Sequence, residues 1–160
     1  MVLVWWPHGG VPDIGPVVAA YMEDVIRDRS AQARAIIKAM PAQRITAASV
    51  PALHDAVASL VRAPHCLLAA DAPPATWAAA VRIRNHNSLD KNAVYAMLRD
   101  AVPAQHATQL TGTPMALVLV EVCAVTAVVS IVSGADAERY HQYNVQTLAE
   151  TDEERAARVS

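Results

Sequence analysis

Nineteen consecutive residues, Met115 to Ser133, carry a single charge, Glu121, and are bracketed by Thr113-Pro114 on one side and Gly134 on the other. No other stretch limits the fold so strongly, because so long an apolar run has only three homes. A membrane-spanning helix needs about 20 apolar residues, but a carboxylate inside the span costs about 2.5–3.5 kcal/mol. No Lys or Arg lies between Arg99 and Arg139 to anchor such a helix. A strand is favoured by composition, since nine of the 19 residues are Val, Ile or Thr. Against it, no turn residue divides the run, and strands usually hold about 5–6 residues. Thr113 as N-cap, Pro114 in the first turn and Gly134 at the end together predict a central helix over 115–133, wrapped by amphipathic helices.

The rest of the chain is read in the same terms. Its 160 residues suit one domain, and 33 alanines with no phenylalanine predict a core of closely packed helices. Prolines and polar clusters punctuate helical patterns over 17–40, 49–63, 77–83, 89–102 and 135–149. The expected fold is all-α: a compact bundle of about six or seven helices in residues 17–150. Before it stands an extended Pro- and Gly-rich N-terminal arm, 1–16, and after it a short tail, 151–160, whose Thr151-Asp152-Glu153-Glu154 reads as a capping box.

Charge and cysteine content narrow the function classes. A formal charge of −2 sets up no field that attracts nucleic acid or anionic lipid. Cys66 and Cys123 form neither a CxxC pair nor a disulfide framework, so a reducing, cytoplasmic location and no membrane association are expected. No Gly-rich phosphate loop occurs, and no cofactor is expected. Glu138 and His141 have the Glu-x-x-His spacing of di-iron bundles, but no second such pair exists, so no metal is expected. His8-Gly9-Gly10 is not followed anywhere by the Gly-x-Ser-x-Gly elbow of α/β-hydrolases. His65 beside Cys66 is a weak nucleophile candidate, because adjacent side chains diverge.

Three groups of residues remain as candidates. Trp5 and Trp6, ahead of a Pro/Gly joint, suit docking on another copy of the chain or on a protein partner. Glu121, without a polar neighbour on its predicted helix, needs an arginine such as Arg82, Arg84 or Arg99, or else is a buried acid working with His54, His65 or His106. Arg82, Arg84, His86, Lys91 and Arg99, with Trp77 and Tyr95, form the one local basic concentration, which points to nucleic acid. On a helix, though, Arg82 and Arg84 stand about 200° apart. The leading expectation is a non-enzymatic, homo-oligomeric structural or interaction protein. A ligand-binding or enzymatic bundle built on Glu121 and a nucleic-acid-binding protein using 82–99 are the alternatives.

Overall fold

The computed structural model describes residues 14–29 and 36–150; Trp5, Trp6 and the capping box at 151–154 lie outside them. The all-α expectation is wrong. The apolar run is an antiparallel hairpin at the centre of a five-stranded mixed sheet, and Trp77 with its neighbours is a third strand. In chain order the elements are α1 (Gly15–Asp28), β1 (Arg44–Ala47), α2 (Val50–Val61), β2 (Thr76–Arg84), α3 (Lys91–Ala101), β3 (Ala107–Thr108), β4 (Ala116–Cys123), β5 (Thr126–Ser133), α4 (Gly134–Arg139), a 3-10 turn (His141–Tyr143) and α5 (Val145–Ala149).

The described residues form two compact units, one of residues 42–135 and one of residues 14–29, 36–41 and 136–150. In the first unit the strand order is β1-β5-β4-β2-β3. Strand β2 runs parallel to β3 and β4, and β5 runs antiparallel to its neighbours β4 and β1. On one face, Val118, Val120, Val122, Ala127, Val129 and Ile131 meet Leu53, Val57 and Leu60 of α2 and Val94 and Leu98 of α3. The alternate residues Leu117, Leu119, Val128, Ser130 and Val132 are buried as well. Strands buried on both faces read as continuous apolar runs, without the alternation that betrays a half-exposed strand. This removes the period-2 signal from 115–133. The turn signal is missing too, because the hairpin closes through two residues, Ala124 and Val125, where Gly or Asn usually stands.

Helix α2 begins with Ser49, whose Oγ accepts from Ala52 N, and Pro51 fills the first turn. Helix α3 is capped by Asp90, whose Oδ2 accepts from Ala93 N at 3.0 Å. At the amino end of β2, His106 is a buried clasp. Its Nδ1 accepts from Ala75 N at 3.2 Å and its Nε2 donates to the Ala69 carbonyl at 3.0 Å, which determines the tautomer. Its own carbonyl accepts from Trp77 Nε1 at 3.3 Å.

In the second unit, α1 packs against α5, and Met22 and Val25 of α1 and Val145 and Leu148 of α5 are buried. The Glu23 carboxylate accepts from Arg139 Nη2 at 2.7 Å and from the Tyr140 hydroxyl at 2.8 Å. These bonds, Arg139's first, hold Glu23 below the usual carboxylate range. Burial pushes the Tyr143 hydroxyl up to about 12. A long helix over 135–149 is not formed. The chain instead turns through His141, Gln142 and Tyr143, all with positive φ, and restarts as α5 with Asn144 as N-cap. Residues 36–40 are not helical either: Lys38 bridges Asn144, and Ala39 N donates to the Tyr143 carbonyl. Among the described residues no helix is long and apolar enough to cross a membrane.

Gly134, read from sequence as a helix terminator, serves a different purpose. Its N–H donates to the Met115 carbonyl at 3.0 Å, and a Cβ there would lie 1.7 Å from the Pro114 oxygen. No side-chain rotation relieves a clash with backbone. Gly134→Ala is therefore expected to cost about 3 kcal/mol or more, read as a fall in the urea midpoint; an unchanged midpoint contradicts this packing.

Candidate functional site

Three chain reversals meet at the carboxyl ends of β1, β2 and β4. The residue after β1, Ala48, donates its N–H to the Val125 carbonyl at 2.9 Å. The Arg84 carbonyl ending β2 accepts from Ala124 N at 3.0 Å. The Ala124 carbonyl accepts from His86 Nδ1 at 2.7 Å. The tight turn between β4 and β5 is thus held by the segments that follow the two other strands. Ala124 adopts φ +52°, and Asn85 on the facing loop adopts φ +53°. The left-handed region costs a non-glycine residue on the order of 1–2 kcal/mol, and the three hydrogen bonds hold Ala124 there. In open α/β sheets the carboxyl end of parallel strands is the usual place for a ligand.

A shallow, open depression of about 510 Å³ lies at this end, lined by Val81, Arg82, Ile83, Arg84, Leu89, Asp90 and Lys91. Arg82 and Arg84, separated on the predicted helix, share a face of β2 because side chains alternate along a strand. Lys91 opens α3, whose first-turn N–H groups have no intrahelical partner and carry the positive end of the helix dipole. Asp90 contributes one negative charge at the rim and is engaged by Ala93 N.

Glu121 is the register partner of Arg82 across the β2–β4 pairing. Its Oε1 lies 3.9 Å from Arg82 Nε, with 13% of the Glu121 side chain exposed against 43% for Arg82. The pair leaves the Arg82 guanidinium reachable from solvent. The histidines once matched with Glu121 stand elsewhere. His106 sits at the opposite end of β2, roughly 20 Å away at strand rise. His54 belongs to α2, which packs on the sheet face carrying Val120 and Val122, the parity opposite to Glu121, and its ring lies 3.7 Å from Asp55 and Asp100.

The basic segment is only partly one surface. Arg82, Arg84 and Lys91 line the depression, but Arg99 stands in the last turn of α3, about 12 Å along the axis from Lys91. Trp77 is core, not a stacking platform, and half-buried Tyr95 packs on the same core. Burial pushes the Cys66 thiol up, which disfavours the thiolate a nucleophile needs. Among the described residues no group of His, Cys, Asp and Glu is placed to hold a metal ion.

Two features of the site escape the sequence reading. One is the loop after β2, where Ser88 Oγ lies 3.1 Å from His86 Nε2 while His86 Nδ1 is engaged by Ala124; that contact is made across 38 residues and leaves no local trace. The other is the shared face of Arg82 and Arg84. Its signal was present: Val81-Arg82-Ile83-Arg84 alternates apolar and charged, the period of a strand. Comparison with protein-family models, with curated proteins and with solved structures finds no match to this chain.

Proposed function

We propose that this chain binds an anionic, phosphate-bearing ligand in the depression at the carboxyl end of β2. The observation that carries the reading is that Arg82 and Arg84, on the face of β2 away from α3, and Lys91, at the start of α3, line one open depression along the edge of β2. Guanidinium groups suit bidentate recognition of phosphate oxygens, and first-turn N–H groups add donors of the same polarity. The overall charge of −2 argues for a local site and against a field that gathers nucleic acid over the whole surface. A nucleic-acid strand and a nucleotide-sized molecule both offer such phosphates. Both cysteines are free, which supports a reducing, cytoplasmic setting.

The test is binding of a labelled single-stranded oligonucleotide and, separately, of a free nucleotide, each over a salt series. Two or three phosphate contacts give a log–log salt slope of about −1.4 to −2.1 for a single strand. The double variant R84A/K91A is expected to weaken binding at least about tenfold and to flatten that slope by about one contact's worth or more. Tight oligonucleotide binding with weak nucleotide binding identifies a strand as the ligand; the reverse identifies a small molecule. Unchanged affinity in a folded R84A/K91A overturns the reading.

Self-association is the second reading, supported by Leu110 and Met115, two apolar side chains of one loop that are 97% and 59% exposed. Light scattering behind a sizing column is expected to give a mass above the 17.1 kDa chain that falls in L110S/M115S. A monomer unaffected by those changes removes this reading.

A further inference from the structure

We propose that Ser88 is a nucleophile and His86 its general base, and that the pair transfers acyl groups from carboxylic esters to water. The proposal is carried by a chain of hydrogen bonds separate from the cations of the phosphate site. A carbonyl oxygen can only accept, so the 2.7 Å contact from Ala124 requires the proton of the neutral imidazole to sit on Nδ1. Nε2 then presents its lone pair, and the Ser88 hydroxyl, 3.1 Å away, donates to it. This is the relation a serine nucleophile needs: hydroxyl on base, base on an orienting acceptor. Here the acceptor is a backbone carbonyl in place of a carboxylate. It is a well-anchored one, because Ala124 N and Val125 O are themselves tied to Arg84 and Ala48.

The surroundings fit the same chemistry. Ser88 is exposed and His86 is half-buried, so the base is shielded and the nucleophile is open to an ester. Leu89, next to Ser88 in the chain, lines the depression, giving a substrate somewhere to lie. The first-turn N–H groups of α3, three and four residues beyond Ser88, are donors of the polarity a developing oxyanion requires. In the reaction Ser88 Oγ bonds to the ester carbonyl carbon and its proton passes to His86 Nε2. The bond to the alcohol oxygen then breaks, and the departing alcohol takes that proton. Water, deprotonated by the same Nε2, attacks the acyl-serine; the acid leaves, and the proton returns to Ser88.

The test uses the full chain and a fluorescent fluorophosphonate, which an activated serine attacks at phosphorus with release of fluoride. Labelling is expected on a single peptide containing Ser88, located by mass spectrometry, with p-nitrophenyl acetate hydrolysis lost in step. S88A is expected to abolish both. In H86N the side-chain amide still donates to the Ala124 carbonyl but offers no base toward Ser88. It is therefore expected to label about 10²- to 10⁴-fold more slowly with a urea midpoint close to that of the parent. Absence of labelling, labelling at another residue, or an H86N rate equal to the parent's overturns the proposal.

Discussion

The pairing of β4 with β5 underlies the rest of this molecule. Eight register pairs, from Ala116 opposite Ser133 to Cys123 opposite Thr126, join two strands whose side chains are buried on alternate faces. Val118, Val120 and Val129 are inaccessible on the face toward α2 and α3, and Leu119 and Ser130 are inaccessible on the other. Fully burying a Val or Leu side chain contributes about 1.5–3 kcal/mol, so this hairpin concentrates the hydrophobic driving force of its unit. The outer strands β1 and β3 are only four and two residues long and could not sustain a sheet alone.

The same hairpin organises the surface at the strands' carboxyl ends. Its turn is too short to rest on anything of its own, and Ala124 holds an unfavourable φ while Arg84 and His86 bond to it and Ala48 bonds to Val125 beside it. Tension at the turn and order in the loop 85–90 therefore share one cause. The loop that carries His86 and Ser88 is tied through His86 to the turn of the most deeply buried element of the unit. The arginines gain their common face from β2 and their spacing from its pairing with β4, where Glu121 meets Arg82.

How much of this could be read beforehand follows from what each element's residues reveal locally. Helix α2 was legible because it is amphipathic and opens on Ser49 and Pro51. Helix α3 was legible from its apolar spacing and the polar cluster Asn85, Asn87 and Ser88 ahead of it, although its cap is Asp90. Helix α1 was legible in its body, although Gly15 and Pro16, read as part of the arm, belong to it and it ends at Asp28 and not at Met40. The sheet was not. Strands β4 and β5 lack alternation because both faces are buried, and their turn lacks the Gly or Asn that would separate them. Ala78, Ala79 and Ala80 disguised β2, since alanine favours helix on propensity alone while its small side chain is equally at home in a packed sheet. Glu121 was picked out from its charge in an apolar run, and its partner Arg82 was among the arginines named. The His86–Ser88 relation was invisible, because a carbonyl 38 residues away orients the ring. Trp5 and Trp6 lie outside the described residues, so the docking role assigned to them stays with the sequence.

The central claim is that residues 116–133 are two paired strands and not one helix. Cross-strand proton contacts measured by NMR on the isotope-labelled chain address it most directly. The account expects short-range contacts between Val120 and Val129 and between Val118 and Ile131, with the amides of both strands among the slowest to exchange. Contacts between residues three and four apart through this run, with none across Ala124–Val125, would return it to a helix and dismantle both the sheet and the site built at its end.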